Sequence, residues 1–271
     1  MQPHQSDGVF EGSVPELYDR YLVPLIFESY ADDLVRRLRL LDPGPVLEVA
    51  AGTGVVTRAM ATGLPETTTL TCSDLNQPML DHAAKVGTDR PVTFQQADVM
   101  RLPFADDSFD AVVCQFAVMF FPDQTGAYAE IRRVLRPGGT FLFNTWDKIE
   151  ANEFADVVTQ ALGTLFPTDP PLFLDRTPHG HHEPEPFRSR LADAGFHTPA
   201  AFEAVEARSK AAHSQDPAIA YCQGTPLRDE IIARDPNGLA QATQVAATAI
   251  AQQFGETNVD GLIRGFVLTA T

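Results

Sequence analysis

Between positions 46 and 146 short apolar runs alternate with amphipathic stretches. The runs at 46–49, 68–73, 92–95, 109–114 and 140–145 have strand length and β-branched character. Between them, apolar residues at helical spacing predict helices over 55–63, 77–86 and 125–135. The last is followed by "RPGG" (136–139), a proline and two glycines that stop a helix and turn the chain into the next strand. Strands that alternate with helices are the pattern of a parallel sheet wrapped by crossover helices.

Upstream, "VPELYDRYLVPLIFESYADDLVRRLRLL" (14–41) keeps helical spacing and predicts two helices broken at Pro24 that cover the sheet or a ligand. Downstream the pattern changes at about residue 147. The stretch 147–187 predicts a short helix and a long shaped loop, and 186–196 a helix. A strand over 199–212, helical alanine-rich sequence over about 217–254 and a final strand over 262–271 complete the chain. The expected organisation is an N-terminal helical segment (1–45), a core (46–146), and a C-terminal region (147–271) that carries cap insertions and the last strands. No internal repeat or low-complexity tract interrupts it.

Charge and cysteine content narrow the function classes. With 271 residues, 36 acids and 20 bases, the formal charge is −16, which repels phosphate backbones and anionic membranes at long range and argues against nucleic acid as a partner. Three cysteines, Cys72, Cys114 and Cys222, form no CxxC, so neither a disulfide framework nor a thiolate zinc site is expected, and a reduced cytoplasmic setting follows. The N-terminal sequence lacks the pattern of a signal peptide. The longest apolar run, 111–121, is interrupted by Gln115 and falls short of the roughly 20 residues of a membrane span.

The chemistry begins in "VLEVAAGTGVVTRAM" (46–60). Gly52 and Gly54 permit positive φ and close backbone approach to a ligand at the carboxyl end of a parallel strand, although any tight strand-to-helix turn needs glycines. Asp74 follows Gly52 by 22 residues, a placement suited to accept both hydroxyls of an adenosine ribose. Its plain alternative is a cap for the helix near Gln77. In "QADVMRLPFADDSFD" (96–110), Asp98 can accept from an adenine amine while the Val99 amide donates to a ring nitrogen; by itself it is better explained as a solvated turn aspartate.

Taken together, residues 46–146 resemble the class I S-adenosylmethionine-dependent methyltransferases, in particular their type 11 group of small-molecule enzymes. The first motif of that family appears as Glu48, Ala50, Gly52 and Gly54. The ribose motif is "SDLNQPML", with Asp74, Leu75 and Met79, and the adenine motif is "ADVMRLPFADDSFD". The fourth-strand and helix signature is "FDAVVCQFAVMFFPD…EIRRVLRPGGTFLF". The resemblance implies a Rossmann-like α/β fold: a seven-stranded, mostly parallel sheet with helices on both faces, an antiparallel last strand and helical cap insertions. It also implies S-adenosyl-L-methionine as cofactor, with Gln115 and Phe116 beside its methionine portion. Ala50 departs from the family's glycine, and its methyl group narrows the approach to the cofactor.

Glu48 separates this cofactor from a dinucleotide. A pyrophosphate at the glycine turn would meet a like charge, and Thr57 replaces the third glycine of G-x-G-x-x-G, whereas a sulfonium cation favours an acidic surround. The resulting expectation is methyl transfer to a small-molecule acceptor by in-line displacement, which needs alignment and water exclusion more than a nucleophile. A non-catalytic S-adenosylmethionine-binding module or partner subunit is the alternative, and a nicotinamide oxidoreductase a third; monomer and homodimer are both left open.

Catalytic candidates are His179 and His182 in "HGHHEPEP", as a base, and Tyr18 and Tyr21, which share an α-helical face on the N-terminal helix and either pack that helix on the body or cover the cofactor or acceptor. A structured loop that caps the following helix explains the histidines as well, and no metal site is expected from their spacing. Trp146 and Asp147 end the fifth strand at the same rim of the sheet, where they can line an acceptor pocket, with a core position as the alternative for Trp146. Phe154, Phe166, Phe173, Phe187 and Tyr221 hint at a partly apolar acceptor, although such residues are more often core.

Overall fold

The computed structural model describes residues 14–197 and 201–271; residues 1–13 of the N-terminal segment and 199–200 of the strand expected at 199–212 lie outside them. Helix α1 (Val14–Leu17) passes into a π-helical segment (Tyr18–Phe27) and then into α2 (Glu28–Leu41). The expected break at Pro24 is absent. Pro24 lies inside the π-helical segment, where the missing N–H and the ring's clash with the carbonyl four residues back displace the hydrogen-bond ladder without ending the helix.

The alternating core follows: β1 (Val46–Val49), α3 (Val55–Gly63), β2 (Leu70–Asp74), α4 (Gln77–Val86), β3 (Thr93–Gln96), β4 (Phe109–Gln115), α5 (Gln124–Val134) and β5 (Leu135–Trp146). Next come α6 (Glu153–Leu165), α7 (Phe173–Arg176), α8 (Pro184–Asp193) and β6 (Ala201–His213). The chain ends with α9 (Gln215–Gln223), α10 (Leu227–Arg234), α11 (Leu239–Phe254) and β7 (Thr257–Ala270). The continuous helix expected over 217–254 is three helices. Pro226 follows the end of α9 at Gly224, and "DPNG" (235–238) separates α10 from α11, so these breakers outweigh the helical propensity of the alanines.

The seven strands form one sheet in the order β3-β2-β1-β4-β5-β7-β6. β1 pairs in parallel with β2 and β4, β2 with β3, and β4 with β5. The last strand, β7, runs antiparallel, and the Ser214 N–H donates to the Glu256 carbonyl where β6 ends and β7 begins. Strand order reverses between β1 and β4, which is where open parallel sheets bind ligands, beyond the carboxyl ends of the strands. β5 starts earlier than expected because "RPGG" is absorbed as a bulge: Phe109 pairs with Leu135, yet Ala111 pairs with Thr140.

By chain contacts the molecule divides into two compact units. Among the described residues one comprises 28–145, 183–197, 201–205 and 266–271. Alternate residues of its strands enter two cores. Leu47, Val112, Cys114, Phe141 and Phe143 pack with Tyr128 and Ile131 of α5 and Phe187 and Leu191 of α8. Val46, Cys72, Ala111, Val113 and Leu142 pack with Leu34 and Leu38 of α2 and Val56 and Met60 of α3. Each fully buried leucine or phenylalanine contributes about 1.5–3 kcal/mol of hydrophobic stabilisation, and this two-sided burial holds the strand ends at fixed spacing.

Among the described residues the other unit comprises 14–27, 146–182 and 206–265. In it α11 packs on α6 and α9, and α9 on the π-helical segment. Buried Ala242, Ala246 and Ala247 line α11, small side chains that let helices approach closely, while Phe154 meets Phe254 edge-on at 4.9 Å. Among the described residues no helix is long and apolar enough to cross a membrane.

Candidate functional site

The chain leaves β1 through a turn with left-handed backbone at alternate residues: φ is +55° at Ala50, +56° at Gly52 and +85° at Gly54. This geometry explains the family's glycine at position 50. An alanine there carries a left-handed strain of roughly 1–2 kcal/mol, so the Ala50 methyl affects local conformation as well as ligand clearance. A side chain at Gly54 would approach the Ala83 Cβ of α4 to 3.0 Å, so Gly54 is required both for its φ and for the close approach of the turn to α4.

Asp74 ends β2 beside this turn and is buried. Its Oδ2 accepts from the Gly52 amide and its Oδ1 from the Asn76 amide, each at 2.8 Å. Burial raises its pKa, opposed by those backbone hydrogen bonds. The carboxylate thus fastens the glycine turn to the start of α4 and retains lone pairs for a ligand. The side-chain cap of α4 considered from the sequence takes a different form, since Asn76 occupies the cap position without a capping side-chain bond.

Glu48 is buried on β1, and its Oε2 accepts from the Thr57 hydroxyl at 2.5 Å. Burial pushes its pKa up to about 7, with the Thr57 and Cys72 hydrogen bonds opposing. Leu75 is 59% exposed, whereas Met79 is buried. Asp98 is exposed and accepts from the Met100 amide at 2.9 Å; Val99 is half-buried beside it.

At the ends of β4 and β5 lies a feature not legible in the sequence. Gln115 pairs in register with Asn144. The Asn144 Oδ1 accepts from the Phe116 amide at 2.8 Å, which holds Phe116 in a left-handed conformation with φ +48°. The Phe116 ring meets the Tyr30 ring edge-on at 4.8 Å. Among the described residues, three buried polar atoms at this edge have no hydrogen-bond partner: Thr53 Oγ1, Gln115 Oε1 and Asn144 Nδ2. Thr53 lies between the two glycines and Asn144 in the strand after "RPGG", positions whose only sequence signal is a polar residue in an apolar run.

The candidate bases lie in the other unit. His179 is buried and its Nδ1 donates to the Asp147 carbonyl at 2.8 Å. Burial lowers its pKa to about 4. The Nδ1 of His182 is 2.8 Å from the His179 carbonyl, and that of His181 is 3.1 Å from the Thr177 carbonyl. The histidines fold their own loop. They do not cap α8, whose cap residue is Glu183.

Trp146 packs against the His179 ring at 5.9 Å and the Phe27 ring at 6.1 Å. Asp147 accepts from the Lys148 amide and pairs with Arg264 at 3.2 Å. Tyr18 and Tyr21 do not act as the α-helical pair expected: in the π-helical turn Tyr18 stacks on Phe27 at 5.2 Å, and Tyr21 lies under the Arg20 guanidinium. Phe154, Phe173, Phe187 and Tyr221 are buried core residues, so they carry no information on an acceptor. Among the described residues no group of three His, Cys, Asp or Glu side chains is placed to hold a metal ion.

Comparison with known proteins places this geometry. Residues 47–143 match the family model described as "Methyltransferase domain". An uncharacterized protein of Mycobacterium tuberculosis is 41% identical over 104 residues, 37% of this chain and 36% of its own. The ubiquinone/menaquinone biosynthesis C-methyltransferase UbiE of Marinomonas sp. is 30% identical over 164 residues, 56% of this chain and 65% of its own. The chain therefore spans less than two thirds of the length of these curated relatives. A crystal structure of a methyltransferase from Bacillus halodurans, 20% identical, superposes with a TM-score of 0.55 over 88% of this chain and 97% of its own; it shares the fold.

Proposed function

We propose that this chain, whose residues 47–143 are a class I methyltransferase domain of the type 11 group, transfers a methyl group from S-adenosyl-L-methionine to a small organic acceptor. The observation that carries the reading is the left-handed turn at 50, 52 and 54 with its middle amide held by the Asp74 carboxylate, at the point where strand order reverses. The residues present fit the cofactor. Asp74 takes the ribose hydroxyls, the exposed Leu75 with Met79 forms the adenine wall, and Asp98 with the Val99 amide reads the adenine edge. Gly52, Gly54 and the unpartnered Thr53 hydroxyl meet the methionine portion with Ala50, Gln115 and Phe116.

When bound, the cofactor supplies a methyl group on a sulfonium leaving group. Glu48 contributes negative charge in a buried setting, where charge–charge interactions are strong. Gln115 and Phe116 align the transferring end, and the remaining contribution is orientation and exclusion of water. The reaction then requires no obligatory side-chain base: His179 and His182 shape the loop after Asp147, and Tyr18 and Tyr21 pack the N-terminal helix. The UbiE relative is named for ubiquinone/menaquinone biosynthesis; the acceptor proposed for this chain is a small organic molecule. A cytoplasmic setting accords with Cys72, Cys114 and Cys222, which are all free and buried.

Titration calorimetry with S-adenosylmethionine and S-adenosylhomocysteine, and with NADH as control, tests the proposal. Binding of both adenosyl ligands and not NADH is expected. Binding of NADH alone, or of none of the three, overturns it.

A further inference from the structure

Thr57 stands where the phosphate-binding pattern G-x-G-x-x-G has its third glycine, and the fold gives it a different task. It lies in the first turn of α3, fully buried, and its hydroxyl donates to Glu48 Oε2 on β1 at 2.5 Å. The Cys72 thiol hydrogen-bonds to the same carboxyl group from β2, where Cys72 is the register partner of Glu48. All three side chains are buried. The Glu48 backbone is held as well, since its carbonyl accepts from the Ser73 hydroxyl at 3.1 Å. Three elements thus fix the acid away from water, and its charge state is set by these neighbours.

Burial favours the neutral carboxyl, whereas donors to the carboxyl group favour its ionised form, and Thr57 is the largest of the influences that oppose burial. Of the other groups that face Glu48, Asp74 of β2 disfavours ionisation and Arg58 of α3 favours it. Cys114 of β4 also faces it, a thiol that burial keeps neutral. We propose that Thr57, assisted by Cys72, is a positioning residue that favours the ionised form of Glu48 and so sets how strongly the site prefers a sulfonium over the neutral thioether left after methyl transfer. The inference rests on the methyltransferase reading and specifies how that site tells cofactor from product. S-adenosylmethionine and S-adenosylhomocysteine differ by one methyl group and the positive charge at sulfur. An ionised Glu48 attracts that charge and gains nothing from the thioether, and its buried setting strengthens the difference.

The test compares wild type with Thr57→Val, which keeps the side-chain shape and loses the donor, and with Thr57→Ser, which keeps the donor. The titration midpoint of Glu48 is read from the NMR signal of its carboxyl carbon in the cofactor-free full chain. It should rise by about one pH unit in Thr57→Val, a tenfold change in the ionisation constant, and return to the wild-type value in Thr57→Ser. Calorimetry with S-adenosylmethionine and S-adenosylhomocysteine then follows the ratio of the two affinities against pH. The pH at which that ratio climbs should move upward together with the Glu48 midpoint. A merely structural threonine would change both affinities alike and leave that pH in place.

A Glu48 midpoint unchanged in Thr57→Val overturns the proposal. So does a displaced midpoint with an unchanged affinity ratio, which would mean that Glu48 does not sense the charge at sulfur. Thr57→Ser behaving like Thr57→Val also overturns it, because the loss would then come from shape and not from the hydroxyl. If Thr57→Val fails to fold, Cys72→Ala decides: a smaller upward displacement is expected, and none overturns the proposal. Failure of the wild type to bind either adenosyl ligand counts against the methyltransferase reading and removes the specificity role with it, while the cofactor-free midpoints still report whether Thr57 sets the charge.

Discussion

Two polar clusters in this molecule use their hydrogen-bonding groups in opposite ways. In the loop at 177–182, His179, His181 and His182 each direct Nδ1 to a backbone carbonyl. At the carboxyl edge of β1, β4 and β5, buried atoms of Thr53, Gln115 and Asn144 find no partner among the described residues. The first cluster holds a chain segment in shape. The second has unmet valence in a rigid frame, a state a fold retains where a ligand completes it. Abundance of chemically versatile residues therefore misleads here, and the state of their hydrogen bonds is the better guide.

The sharpest way to break this contrast is Asp74→Ala, which removes the acceptor for the Gly52 and Asn76 amides together with the proposed ribose contact. Affinity for S-adenosylhomocysteine should fall by about a hundredfold, as expected when charged hydrogen bonds worth about 1.5–3 kcal/mol are lost in pairs. Unchanged affinity by calorimetry would mean that the edge does not hold the cofactor.

The next effect is pH dependence through Glu48. Its folded pKa of about 7 exceeds the ordinary 4.5, so the favourable contribution is fully present below 4.5 and is lost as pH rises through about 7. The difference corresponds to about 3 kcal/mol. Urea unfolding should show wild type losing stability across that window and Glu48→Gln losing much less. The ionised form favours a sulfonium, so the affinity ratio of S-adenosylmethionine to S-adenosylhomocysteine should fall in wild type below pH 7 and stay flat in Glu48→Gln. His179 titrates in the opposite sense. Its pKa, lowered from 6.5 to about 4, gives stability present above 6.5 and lost as pH falls through about 4.

Ala50→Gly should raise stability by about 1 kcal/mol through relief of the left-handed strain, or about 2 °C in Tm by calorimetry, without weakening S-adenosylhomocysteine binding. A drop in Tm would show that the methyl packs usefully. The smallest expected effect is that of His182→Ala, which removes one half-buried loop bond. Turnover, once an acceptor is in hand, should change less than about threefold, within the range of one ordinary hydrogen bond. A loss of two orders of magnitude would make the loop catalytic and erase the contrast.

Much of the core was legible because its periodicities are local. β1, α3 and α4 occupy the residues expected, and β4 exceeds its expectation by one residue. The N-terminal helices were misread at Pro24 because its local effect depends on whether the surrounding ladder can widen to accommodate it. The early start of β7 at Thr257, against an expected 262, reflects sheet pairing that turn residues do not announce. Tyr18 and Tyr21 lost their common face to the same π-helical turn.

What the sequence determined alone was the order of strands and helices, the glycine turn with Asp74 at its distance, and the acid that disfavours a phosphate there. These depend on residue type and short-range spacing. Only the tertiary structure decided that Ala50 sits in a left-handed conformation, that the histidines are consumed by their own loop, and that Asn144 and Gln115 stand side by side with complementary atoms unpaired. Each of those outcomes depends on which groups from distant parts of the chain are buried together, and on whether burial leaves them a partner.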